Sequence, residues 1–152
     1  MKIAEALLLR ADLQKRFERV KERLINNAKV QEGDKPAEDP RELMAELNRI
    51  LDELTNVIQR INKTNCATKL DSGTTLADLL AKRDIVKIKH TAYTAFADAA
   101  SVKQDRYSKS EVKFKSTIDI AFLQKQSDDL AKEYRELDTK IQEANWLKDL
   151  IE

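Results

Sequence analysis

The 152-residue chain has two glycines, two prolines, one cysteine and one histidine, and aromatic residues make up only 5% of it. Each scarcity excludes something. Gly33 and Gly73 stand far apart. They cannot build a G-x-G-x-x-G turn or a Walker loop, which need several backbone positions free of a side chain. Cys66 has no internal partner for a disulfide, so a reducing compartment is the default and nothing argues for secretion. His90 has Lys87, not a glutamate, three residues before it, which removes the paired Glu-x-x-His motifs of a di-iron bundle. Zinc sites built on Cys and His need more ligands than His90 and Cys66 supply. No cofactor, no metal and no catalytic residue are therefore expected.

Net charge and long apolar runs are lacking too. A formal charge of +1 gives no whole-molecule reason to bind nucleic acid or an anionic membrane. The run Ile3-Ala4 and Ala6-Leu7-Leu8-Leu9 is broken by Glu5, Arg10 and Asp12. It stops too early for a signal-peptide core and falls far short of the about 20 apolar residues that span a bilayer. A soluble, cytoplasmic protein without a membrane partner is expected.

What the chain does have is charge, 36% of its residues, and helical periodicity. Leu123, Ser127, Leu130, Tyr134, Leu137, Ile141 and Ala144 recur at spacings of four and three, with Asp, Glu, Lys and Arg between them. Such a stripe needs a partner helix. The pattern predicts one all-α domain over residues 1–152, a four-helix bundle of long antiparallel hairpins with coiled-coil-like seams. Its helices span about 2–30, 39–65, 75–101 and 119–149.

The first helix carries Ile3, Ala6, Leu13, Phe17, Val20 and Leu24 on one stripe, with Arg10 and Asn27 as polar members. Leu7, Leu8 and Leu9 wrap most of its circumference, more apolar surface than one neighbour covers. The second opens on Asp39-Pro40-Arg41-Glu42: a capping acid, a proline at the first helical position and a glutamate at the third. Cys66 is placed just past its end, and Asn62, Thr64 and Asn65 there read as helix-terminating side chains. The third opens on Thr75-Leu76-Ala77-Asp78 and carries Ile85, Ile88, Ala92, Ala95 and Ala99, with Val86, Tyr93 and Phe96 alongside. Before the last helix, Val112 to Ile118 alternates with period two and predicts a short strand in a small β element over 111–118. Its partner is either a local segment, Val102 to Tyr107, or a second subunit.

Several strings resemble a known family: Arg60-Ile61-Asn62-Lys63-Thr64-Asn65, Arg106-Tyr107-Ser108-Lys109-Ser110-Glu111, and Arg135-Glu136-Leu137-Asp138-Thr139-Lys140-Ile141-Gln142-Glu143-Ala144-Asn145-Trp146. With the hairpin from Asp39 they resemble the small bacterial helical proteins called septicolysins, over nearly the whole chain. The name implies a cytolysin. Val112 to Ile118 is too short for a transmembrane strand, which takes about nine to eleven residues.

Two surfaces are candidates for function. Ile3, Leu7, Leu8, Leu9, Leu13 and Trp146 form a candidate oligomer interface, Trp146 serving first as a packing anchor and second as an interface hot spot. From Lys82 to Lys115, nine Lys/Arg stand against four Asp/Glu, while Ser116 to Glu152 carries five against nine. Arg83, Lys87, Lys89, Arg106, Lys113 and Lys115 are thus candidate anion or nucleic-acid contacts. The plainer reading, and the preferred one, pairs this basic tract with the acidic last helix. The function expected is a non-catalytic, homo-oligomeric helical scaffold or interaction protein whose other partners the sequence does not identify. A nucleic-acid-binding accessory protein and, from the resemblance alone, a septicolysin-like toxin are the alternatives.

Overall fold

A computed structural model, describing residues 1–71, 73–101 and 112–152, contains four α-helices. They are α1 (Ile3–Asn26), α2 (Pro40–Ala67), α3 (Leu76–Ala100) and α4 (Ile120–Leu147). The protein is all-α, and the helices fall where the apolar periodicity puts them. The chain forms two compact units: Met1–Ala77 with Gln142–Glu152, and Asp78–Ile141.

In the first unit α1 and α2 form an antiparallel hairpin. Ala6, Leu13 and Val20 of α1 meet Ile50, Val57 and Ile61 of α2 and Leu150 of the tail, flanked by Phe17, Leu24, Leu47 and Leu54. The apolar face of each helix supplies most of the stabilisation, since helices of this length gain little from propensity alone. α1 stops at Asn26, short of the predicted end near Val30. The reason is Asn27, whose amide donates to Arg23 O at 2.9 Å while its Oδ1 accepts Glu38 N at 3.0 Å. That side chain turns the chain toward α2. Gly33, with φ of 89°, takes the left-handed position of the turn closed by Asp34 N and Gln31 O.

Asp39 and Asp119 start α2 and α4 alike. Each carboxylate accepts the backbone N–H two residues on, Arg41 N at 2.9 Å and Ala121 N at 3.0 Å. Beyond those caps, Leu43, Ile50, Val57 and Ile61 are buried on α2, and Leu123, Leu130, Leu137 and Ile141 are buried at identical spacing on α4. The two second helices are thus built on one pattern. In the second unit α3 runs antiparallel to α4, with Val86 against Leu130 and Leu137 and with Leu79, Tyr93 and Tyr134 around them.

Residues 112–118 are not a strand. Val112 and Phe114 are 69% and 81% exposed, so the period-two alternation packs neither of these side chains into a core, and packing on one face is what favours a strand. Glu111 and the proposed pairing segment 102–107 lie outside the described residues. Among the described residues, extended pairing lies elsewhere. Lys2 bridges Asp149 and Lys69 bridges Thr75, both antiparallel and both in the first unit. The backbone bonds are Ile3 N to Lys148 O (3.1 Å), Leu150 N to Met1 O (2.8 Å), Leu76 N to Thr68 O (2.9 Å) and Leu70 N to Thr74 O (3.0 Å). In each case the residues after an even-numbered helix clip the first turn of an odd-numbered one.

Asn62, Thr64, Asn65 and Cys66, read as ending or following α2, all lie inside it, since the helix continues to Ala67. Thr64 lies inside α2 and is 1% exposed. Its hydroxyl donates to Arg60 O at 2.7 Å and accepts Ile151 N at 2.9 Å. Cys66 also lies within α2, in its last turn, and is exposed.

Candidate functional site

Of the apolar interface residues, Ile3 and Leu13 are 1% and 0% exposed. They belong to the interior and have no surface to offer a partner. Leu7 and Leu9 are half-buried against the α1–α2 core, so two of the three consecutive leucines are largely satisfied within the chain. Leu8 and Trp146 are the exposed members of the set, at 65% and 59%. Trp146 is therefore no packing anchor; its neighbours Asn145 and Ala144 point inward instead.

Another exposed apolar surface lies on α3. The stripe Ile85, Ile88, Ala92, Ala95 and Ala99 is exposed along its whole length, as is Ala81 one turn before it. Ile85 and Ile88 are 63% and 64% exposed. The residues that face α4 are the neighbouring row, Leu79, Val86 and Tyr93, and Ala97 further along α3 is buried too. α3 thus has two apolar faces, of which α4 covers one. A single β-branched residue on a surface is ordinary, but two consecutive isoleucines of a heptad continued by alanines form a contiguous patch.

The basic residues divide into two sets. Arg83 Nη1 meets Asp138 Oδ1 at 2.8 Å, Arg83 Nη2 meets Asp84 at 3.2 Å, and Lys82 meets Glu133 at 3.5 Å. Partial burial pulls the Arg83 guanidinium down, and hydrogen bonds to Asp138 and Asp84 outweigh it, so its pKa lies above the ordinary value. These cations are engaged by α4 or by their own helix. Lys87, Lys89, Lys113 and Lys115 are exposed, and Lys89 Nζ stands 5.7 Å from the Tyr93 ring centroid. Arg106 lies outside the described residues. Lys87 and His90 meet Ala131, Tyr134 and Arg135 around a shallow groove between α3 and α4.

In the first unit a second shallow groove is lined by Arg23, Glu38, Asp39, Glu42, Glu46 and Arg49. Arg23 is clamped there. Its Nε donates to both Glu38 oxygens at 3.2 and 3.0 Å, its Nη2 to Glu38, and its Nη1 reaches Glu46 at 3.5 Å. The hydrogen bond from Arg23 holds the Glu38 carboxylate below its usual range, and the same bond raises Arg23. The arrangement fastens the linker to α1 and leaves the charges spent on one another. Among the described residues, no group of three or more His, Cys, Asp or Glu side chains is placed to hold a metal ion, and no helix is long and apolar enough to cross a membrane.

No curated protein matches the chain. It is similar to a solved structure described as the crystal structure of a functionally unknown conserved protein from Corynebacterium diphtheriae. The two are 44% identical, with 99% of each chain covered and a TM-score of 0.93. A family model matches residues 10–150, and the chain belongs to that family, described as a family of unknown function (DUF6847).

Proposed function

We propose that the protein is a cytoplasmic, non-catalytic helical scaffold that acts by associating with copies of itself. The observation that carries this reading is the outward face of α3, where Ile85 and Ile88 stand 63% and 64% exposed above a run of alanines. A partner that removes this face from water gains roughly 25 cal/mol per Å² of apolar surface covered. The engagement of Lys82 and Arg83 by Glu133 and Asp138 supports the same ranking, because charge spent on α4 is not available to a phosphate backbone.

Static light scattering at micromolar concentration tests it. The expected mass is at least twice that of the 17.5 kDa chain. A clean monomer at that concentration overturns the scaffold reading.

A further inference from the structure

The outward face of α3 has the geometry of a dimerisation seam, and its flanking charges specify a direction. Ala81, Ile85, Ile88, Ala92, Ala95 and Ala99 follow one another at alternating spacings of four and three, all exposed. This is the repeat of a coiled-coil seam, with Ile85, Ala92 and Ala99 at one kind of core position and Ala81, Ile88 and Ala95 at the other. The positions on either side of the seam are then fixed. Lys82, Lys89 and Phe96 flank it on one edge, and Asp84, Thr91 and Asp98 flank it on the other.

We propose that two copies of this chain pair through α3 in parallel and in register, with Asp84 of each facing Lys89 of the partner subunit. The inference rests on the self-association reading and deepens it by naming the surface and the orientation. The occupant is a second copy because the edges are self-complementary in only one direction. In a parallel pair, the flanking position of one helix meets the opposite flank of the next heptad on its partner, which joins Asp84 to Lys89 twice over. In a fully overlapped antiparallel pair, like edges meet. Lys89 then faces Lys89 of the partner subunit, and Asp84 faces Asp98 of the partner subunit, so every charged pair is repulsive. Antiparallel packing has one point in its favour, since it sets isoleucine against alanine and keeps the helix spacing even. A parallel pair accommodates the taper by crossing, with the alanines at the point of closest approach and the isoleucines filling the wider end. Asp84 and Lys89 are exposed; Asp84 contacts Arg83 and Lys89 stands over Tyr93, both within α3, whereas Lys82 on the same edge as Lys89 is held by Glu133 and adds no contact across the seam.

The test is site-directed cross-linking in a Cys66→Ala background, which removes the only cysteine. With Ala99→Cys added, mild oxidation is expected to give a disulfide-linked dimer, because parallel register places the two copies of that position together. In an antiparallel pair it would face position 81 of the other copy, and the two equivalent cysteines would lie about 27 Å apart along the axis. Failure of Ala99→Cys to cross-link, with cross-linking only when it is mixed with Ala81→Cys protein, overturns the parallel arrangement. Lys89→Asp should weaken association by about tenfold by replacing two attractive contacts with two repulsive ones. The exchange Asp84→Lys with Lys89→Asp should restore it. Ile85→Glu with Ile88→Glu, on a face that α4 does not touch, should give a folded monomer with unchanged helicity. A dimer that survives that double change overturns the α3 surface and leaves self-association standing. A monomeric parent protein overturns both.

Discussion

Thr64 and Ile151 are joined by one hydrogen bond, from the Ile151 backbone N–H to the Thr64 hydroxyl at 2.9 Å, across 87 residues of sequence. The same α2 segment holds the tail twice more, Arg60 Nε reaching Ile151 O at 3.2 Å and Lys63 Nζ reaching Glu152 O at 2.9 Å. Leu150, 7% exposed, is thereby seated in the α1–α2 core. Thr64→Val keeps the shape and removes the acceptor, leaving a partly buried N–H without a partner. It should cost about 1–2 kcal/mol in chemical denaturation, while Thr64→Ser should stay near the parent. Equal loss in both variants would mean that methyl packing, not the hydroxyl, secures the tail.

The seam of α4 makes a second prediction. Leu130 and Leu137 are each 7% exposed and meet Val86. Truncating either to alanine should cost about 2–5 kcal/mol, a large part of the ~5–15 kcal/mol that holds a typical domain. Asp129 and Lys132, exposed between them, should tolerate alanine with a change of about half a kcal/mol. Denaturation curves of the four variants check the contrast, and comparable losses in all four would show that the leucines do not form the second unit's core.

Acid should weaken the first unit in a defined way. A hydrogen bond from Arg23 lowers the Glu38 pKa, and a hydrogen bond and the charge of Lys2 lower that of Asp149. Both carboxyls bind protons less readily in the folded state than in the unfolded one. Their contribution is therefore complete above the unfolded carboxylate range and is lost as pH falls through the folded values, below about pH 4. Melting temperature should drop over that window, and Glu38→Gln or Asp149→Asn should flatten the drop. An unchanged slope in both variants would assign the acid response to other groups.

The basic tract separates the scaffold from a nucleic-acid-binding protein. Lys87, Lys89, Lys113 and Lys115 are exposed. If they contacted phosphates, replacing all four with glutamine would weaken binding and flatten its salt dependence, because fewer counterions are released. Little binding to labelled DNA or RNA is expected at about 0.15 M salt. A sub-micromolar complex with the salt behaviour just described would reverse the ranking of the two functions.

Helix number, the Asp39 start and the buried row Leu123, Leu130, Leu137, Ile141 and Ala144 were legible in the sequence. Capping chemistry and apolar period act over a few neighbouring residues and leave their mark in the string itself. The pairing of Lys82 and Arg83 with α4 was legible too, as an excess of one charge facing an excess of the other. For the α1 patch, a dense apolar run was visible, but not that Ile3 and Leu13 would be inside it and Leu8 outside.

Only the tertiary structure decided which side of α3 meets α4. Val86 and Tyr93 lie on one apolar row and Ile85 and Ile88 on the next, and periodicity alone ranks the isoleucine row as the better core. The choice belongs to the partner: Leu130 and Leu137 pack on the row they can reach while Arg83 meets Asp138, and the isoleucines are left facing water. The same is true of Thr64 and Ile151, and of Lys2 and Asp149, whose contacts join segments far apart in the sequence. A one-dimensional pattern specifies what each segment can bury; what it does bury depends on the segments that the folded chain brings to it.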